Sequence, residues 1–134
     1  MPETPASALL RLPVRLHGID IGRPVDVLLS GDRSQAVGLE VVCGDGARRF
    51  LPLRAASVAA DEISIASAFA LLDEDQLRFY RTRGSVLSEL RGELVEDGGA
   101  PVGPLEDVLL DAELAVVGLE VSVEGERRRV PAAA

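Results

Sequence analysis

The stretch VGLEV occurs twice in the sequence, at residues 37–41 and again at residues 117–121. The segment DVLL precedes each copy, at residues 26–29 and 107–110. The offset between the copies is 81 residues at DVLL and 80 at VGLEV, and it changes in the polar stretch between them, where a turn is expected. Repeats that vary in length only in their loops are duplicated structural units. The sequence therefore predicts two copies of one small unit.

Each copy has the pattern of antiparallel β-strands. Apolar residues alternate with other residues over 25–29, which is the period of a half-buried strand. The Gly-Asp-Gly stretch at 44–46 predicts a hairpin turn, and Gly38 and Gly118 inside strands predict a bulge or sharp bend. The segments 9–16 and 86–95 are expected to open the two units. The predicted strands are 25–29, 36–43, 47–53 and 62–66 in the first unit, and 105–110, 115–123 and 126–130 in the second.

A short helix is predicted between the two units. Asp73 is a helix-capping residue, Gln76 follows three positions later, and Gly84 is a typical stop. The predicted fold is mainly β: two small curved antiparallel sheets or barrels, related by internal duplication and joined by this helix. The predicted boundaries are 1–70 for the first unit, 71–84 for the helix and 85–134 for the second unit. Halves of about sixty residues are marginal alone, so we expect them to pack together.

The second unit contains no counterpart of the predicted strand at residues 62–66. Its sheet is therefore either one strand short or completed by another segment or another chain.

Composition narrows the class of partner. The chain has 134 residues, 47% of them hydrophobic but only 3% aromatic, and a net charge of −8. A protein that follows phosphate backbones needs a basic face, and the sequence offers only Arg48-Arg49 and Arg127 to Arg129. These features argue against nucleic acid as the direct partner. The longest apolar run, at 63–72, is too short to span a membrane, and the N-terminal segment lacks a secretory pattern. These features predict a cytoplasmic protein.

The two repeats resemble the PRC-barrel family. The resemblance lies in IGRPVDVLLSGDRSQAVGLEVVCGDGARRFLPL at 21–53 and in PVGPLEDVLLDAELAVVGLEVSVEGERRRVP at 101–131. The family includes the cytoplasmic domain of the photosynthetic reaction-centre H subunit and the C-terminal domain of a ribosome maturation factor. The resemblance implies two barrel-like sheets and a role in binding proteins, without catalysis.

The residues with potential chemistry favour structural roles. His17 stands alone beside a glycine, and Cys43 is expected to be buried at a strand end. Asp26 and Asp107 recur at equivalent positions, which favours a role in the fold, since an active site usually diverges in one copy. The acids at 73–75 lack the spacing of a calcium loop. We therefore expect no catalytic residue, no cofactor and no metal.

The stretch RFYRTR at residues 78–83 is the densest combination of arginine and aromatic residues. Tyr and Arg are enriched in interface hot spots, so Arg78, Tyr80, Arg81 and Arg83 are the candidate partner-binding residues. Leu77 and Phe79 are expected in the core.

These observations favour a protein-interaction or adaptor module whose partner is another protein. An accessory factor in RNA metabolism or ribosome maturation, acting through a ribosomal protein, is an alternative. A small-molecule binder or enzyme is a second one. A homodimer and peripheral association with a membrane stay open.

Overall fold

Two curved half-barrel sheets and a few short helices make up the described part of the chain, which in this computed structural model is residues 3–132. The outer ends of the two predicted units, residues 1–2 and 133–134, lie outside it. The strands, in chain order, are β1 (Thr4–Pro5), β2 (Val14–Leu16), β3 (Ile19–Leu29), β4 (Ala36–Cys43), β5 (Arg48–Pro52), β6 (Ala56–Val58), β7 (Ile63–Ile65), β8 (Ser85–Val86), β9 (Leu94–Asp97), β10 (Ala100–Leu110), β11 (Val116–Val123) and β12 (Glu126–Pro131). The helices are α1 (Glu74–Arg83), the single turn α2 (Leu87–Leu90), and three 3₁₀ segments, Ala6–Arg11, Leu53–Ala55 and Ala68–Ala70.

The first sheet has the strand order β5-β4-β3-β2-β7-β6, with β8 paired to the end of β3. The second has the order β1-β10-β11-β12, with β9 paired to the other end of β10. The predicted mainly-β fold with two curved sheets is confirmed, and so is the helix between them. One pairing differs from the antiparallel expectation, because β7 runs parallel to β2.

The central strand of each sheet is about twice as long as expected. β3 and β10 both have eleven residues, whereas the alternating pattern covers only the second part of each. Register shifts at Pro24/Asp26 and at Leu105/Asp107 bend the strands at the same place in both units. The bend lets one strand pair with the opening hairpin at one end and with the next long strand at the other.

The two sheets exchange their first segments. β1 pairs with β10 of the second sheet, placing Thr4 opposite Leu110. β8 pairs with β3 of the first sheet, placing Ser85 opposite Leu29. Thr4 and Ser85 are 81 positions apart in the sequence, and so are Leu29 and Leu110. The predicted units at 1–70 and 85–134 therefore follow the repeat along the chain, but in space each unit lends its opening segment to the other.

A buried aspartate holds each exchanged segment in place. The Asp26 carboxylate accepts hydrogen bonds from the backbone N–H and the hydroxyl of Ser88, just after β8. The Asp107 carboxylate accepts the same two bonds from Ser7, just after β1. Each aspartate also accepts the N–H of the residue that follows it. The hydrogen bonds therefore agree with the structural role expected for this aspartate pair.

The core is continuous across the two units. Its largest cluster combines Val27 and Leu39 of the first unit with Leu105, Val108 and Leu110 of the second. A symmetric bridge also joins the sheets, in which the Ala36 N–H donates to the Leu114 C=O at 2.9 Å and the Val116 N–H donates to the Ser34 C=O at 2.8 Å. Two units that are each too small for a full core thus share one.

Replacing Ser88 by Ala is expected to lower the free energy of unfolding by about 1–3 kcal/mol, because Asp26 then loses a partner while it stays buried. Ser7→Ala is expected to have a similar cost at Asp107. Denaturant titration measures both. Ser57→Ala, on an exposed strand, is the control and is expected to change stability by less than about 0.5 kcal/mol. Equal effects of all three substitutions would contradict this role.

The repeated glycine of VGLEV makes room for the side chain across the ladder. A Cβ atom at Gly38 would lie 2.1 Å from the Phe50 ring, and one at Gly118 would lie 3.0 Å from the Arg129 guanidinium. A register shift also occurs beside each glycine, between Leu28/Leu29 and between Leu109/Leu110. The expected bulge at this position is therefore confirmed, and close packing is a second reason for glycine.

Gly38→Ala is expected to destabilise the protein by about 1–3 kcal/mol, because the buried Phe50 ring, and to a lesser extent the Leu51 carbonyl, must move to admit the methyl group. Gly118→Ala is the matched control at the equivalent position. The flexible Arg129 side chain can shift there, and alanine suits a strand better than glycine, so the change is expected to be close to zero. Thermal unfolding of both variants checks the difference, and an equal loss in both would show that packing against Phe50 is not the cause.

Candidate functional site

Helix α1 forms and ends for local reasons. The Asp73 side chain accepts the N–H of Gln76 at 3.2 Å, and Glu74 and Asp75 lie in the first turn. The helix ends at Gly84, where a Cβ atom would lie 2.1 Å from the carbonyl oxygen of Leu29. The cap and the stop predicted from the sequence are thus confirmed.

The inner face of α1 covers the outer face of the first sheet. Tyr80 stacks on Phe50 with 4.2 Å between the ring centroids and 11° between the planes. Leu77 is buried beside Phe50 and Leu28. Tyr80 is therefore half-buried and contributes to packing.

A buried carboxylate anchors the same helix. Glu40 on β4 is 2% exposed and accepts hydrogen bonds from Arg48 on β5 and from Arg81 on α1. In the second unit the equivalent pair is Glu120 and Arg127, with N–O at 3.2 Å. A buried carboxylate needs such partners because its desolvation is otherwise uncompensated. Arg81 thus links α1 to the first sheet through its ion pair with Glu40.

The outer face of α1 carries the remaining candidates. Arg83 lies over the Phe79 ring with 5.0 Å from Cζ to the ring centroid. Arg78 is highly exposed and forms a 3.3 Å pair with Asp75. Phe79 is 48% exposed, so its expected place in the core is wrong. Leu77, Tyr80 and Arg81 occupy the face towards the sheet, and Phe79 lies on the other side. The four predicted partner-binding residues are therefore on one helix but on two faces of it.

Arg81→Ala is expected to cost about 1–3 kcal/mol of stability, because it removes one of the two partners of buried Glu40. Arg78→Ala on the same helix is the control, since its exposed ion pair is worth at most about 0.5 kcal/mol. Urea titration of both variants gives the difference. A loss of stability with Arg78→Ala as large as that with Arg81→Ala would contradict the division into two faces.

A second surface is the free edge of β9, which we call the β9 edge. Among the strands of residues 3–132, β9 pairs only with β10. Its counterpart β2 pairs with β3 on one side and with β7 on the other. In the first unit the hairpin that follows β5 supplies β7, and no strand within residues 3–132 takes the equivalent place beside β9. The β9 edge is therefore open where the β2 edge is closed.

An apolar groove lies beside this edge, and we call it the β9 groove. Its volume is about 340 Å³, and its apolar lining includes Val95, Leu105, Val108, Val116 and Leu119.

Burial at equivalent positions shows what the groove lacks. Val14 and Leu39 are fully buried in the first unit, but their counterparts Val95 and Leu119 are only partly buried. Leu94 is 64% exposed, whereas Pro13 at the same position is buried. Among the described residues, the second unit thus has core positions that are less covered than their counterparts in the first unit, and it has no counterpart of β7.

The rim of the β9 groove is acidic. Asp32, Glu93 and Glu96 line it, and Arg33 lies 3.7 Å from Glu93. Hydrogen bonds from the hydroxyls of Ser34 and Ser30 lower the pKa of Asp32 to about 2. This carboxylate is therefore charged throughout the neutral pH range, and it adds to a negative field around an apolar opening.

The other residues with potential chemistry lie apart from both surfaces. His17 occupies a turn with a φ of 50°. Cys43 is buried as expected. The arginine runs are largely neutralised within the fold, since Arg49 pairs with Asp45 and Arg129 with Glu3. The Asp45 contact raises the pKa of Arg49, and Arg49 in turn lowers the pKa of Asp45 to about 2.

Two further tests give negative results for residues 3–132. They contain no group of three or more His, Cys, Asp or Glu side chains that could hold a metal ion. In the same range, every helix is too short or too polar to cross a membrane. Comparison of the sequence with protein-family profiles and with curated proteins finds no match.

Proposed function

We propose that this chain is a non-catalytic protein-interaction module of the PRC-barrel type, an adaptor that acts in the cytoplasm and whose partner is another protein. The observation that carries the proposal is the open β9 edge beside the apolar β9 groove. Comparison of the two units supports this choice, because the first unit closes the equivalent edge with its own strand β7.

An open strand edge beside an apolar groove suits the addition of a strand from another protein. Main-chain hydrogen bonds give such complexes their affinity, and side-chain pockets give them their specificity. Proteins usually cover or blunt long free edges, because unpaired N–H and C=O groups invite unwanted pairing. Glu96 and Asp97 on β9 supply charges of the kind that limit unspecific pairing, while Leu94 stays exposed. This combination is consistent with a selective docking edge.

The outer face of α1 is a second place where a partner protein can dock, through Phe79, Arg78 and Arg83. The RNA-related alternative needs a basic patch at the arginine runs, and the ion pairs there give it little support.

Affinity capture from nuclease-treated native lysate tests the proposal, with three forms of the protein compared. We expect the wild type to retain a stoichiometric protein partner and Glu96→Pro to lose it, because proline removes an edge-facing N–H and is tolerated on edge strands. The double variant Arg78→Ala/Arg83→Ala is expected to keep the partner. Retention by Glu96→Pro but not by the double variant would move the docking surface to α1. Capture that depends on nucleic acid would contradict the proposal.

A further inference from the structure

The geometry points to the chemistry of the partner: an extended segment of another protein that adds parallel to β9 and carries a basic residue directly ahead of a large apolar one. This inference rests on the proposed interaction function. It follows from the first unit, in which strand β7 occupies the equivalent edge and shows the contacts that such a strand makes.

Strand β7 is the template for the missing strand. The Ile63 N–H donates to the Pro13 C=O at 2.9 Å, and β7 continues parallel to β2 with Ile63 opposite Val14 and Ile65 opposite Leu16. The scaffold that receives β7 is repeated in the second unit. Val14 pairs with Gly22, and Val95 pairs with Gly103 at an offset of 81 for both residues.

The hydrogen-bonding groups of the β9 edge follow from this register. Peptide groups alternate in direction along a strand. The Glu93 C=O accepts the N–H of Leu105 on β10. The next carbonyl, that of Leu94, and the N–H and C=O of Glu96 therefore point to the free edge. A parallel strand can bond to these three groups as β7 bonds to the backbone of β2.

The apolar residue of the partner is required by the groove. Ile63 is fully buried in the first unit, where Val14 and Leu39 are fully buried as well. A large apolar residue at the same place beside Val95 would cover the β9 groove. Burying such a side chain favours binding, because it removes apolar surface from water.

The charge at one edge position is reversed between the two units, and this reversal calls for a basic residue in the partner. In the first unit, Arg15 on β2 pairs with Asp20 at 2.6 Å and with Glu62, directly before β7, at 3.2 Å. Glu96 replaces Arg15 in the second unit, and Pro101 takes the place of Asp20. A basic residue at the position of Glu62 would therefore restore the pair with opposite signs. The remaining acids of the rim favour the same charge.

A second copy of this chain fits less well than a different protein. Arginine directly precedes a large apolar residue at positions 11, 15, 49, 78 and 129. Within residues 3–132, the apolar residue that follows lies in a helix or a strand or, for Leu12, against the core. A second copy would have to break its own fold to supply such a segment.

Binding of two synthetic peptides to the full chain tests the inference. The first has the native sequence of residues 59–67, AADEISIAS, and the second is the same peptide with E62R. We expect the E62R peptide to shift the amide resonances of Val95, Glu96 and Leu119 and to bind about fivefold more tightly than the native peptide at low salt. The preference should shrink at high salt, because exposed charges are screened.

Variants of the protein separate the charge from the strand addition. Glu96→Arg is expected to reverse the preference between the two peptides, and Glu96→Gln to reduce it while both still bind, because the other acids of the rim keep their charge. Glu96→Pro is expected to abolish binding of both, with an unchanged circular dichroism spectrum as proof of folding. Equal affinity of both peptides for the wild type, or resonance shifts confined to α1, would overturn the inference.

The outcomes also distinguish this inference from the function on which it rests. If the peptides do not bind but Glu96→Pro loses a captured partner, the interaction function stands and the inferred strand chemistry is wrong. If the wild type dimerises and Glu96→Pro is a monomer, the occupant is a second copy and the inference is overturned.

Discussion

The fold depends on the buried aspartates that hold each unit's first segment against the sheet of the other. Asp26 and Asp107 each accept a hydroxyl and a backbone N–H from the exchanged segment. The exchange makes the halves interdependent, because neither central strand has its end partner without the other unit. It also lets two stretches that are too small for separate cores share one cluster of Val and Leu side chains. The two aspartates make equivalent hydrogen bonds, which explains why the aspartate recurs in both copies of DVLL.

Two differences between the units concern what covers a sheet. Helix α1 covers the outer face of the first sheet through Tyr80 and Arg81, and the equivalent face of the second unit carries the Arg127–Glu120 pair and the Arg129–Glu3 pair. Strand β7 closes the edge of β2, and the edge of β9 is open in the described chain. Within residues 3–132, the duplicated scaffold thus has one copy with a closed edge and one copy with an open edge. This asymmetry is the physical basis of the proposed adaptor function.

Much of this architecture could be predicted from the repeat and its periodicity, but the exchange could not. The second parts of β3 and β10, the hairpin turns and the capped helix have local signals, whereas the first parts of β3 and β10 do not. β1 and β8 have two residues each and carry no periodic pattern, so their partners are decided by tertiary contacts alone. Phe79 and Tyr80 are adjacent aromatic residues, and only the position of Phe50 determines which one faces the sheet. The sequence predicts the lack of a counterpart of β7 among residues 85–132. The groove and the reversed charge at Glu96 needed the register of the strands.

The central claim is that β9 has a free edge where β2 is paired, and amide hydrogen exchange measures this directly. By the parallel register, the Arg15 N–H faces β7 and the Glu96 N–H faces the open edge. The account predicts slow exchange for Arg15 and fast exchange for Glu96, while Val95, which faces β10, stays protected. Equal protection of Arg15 and Glu96 in the isolated protein would show that the edge is already covered and would contradict the account.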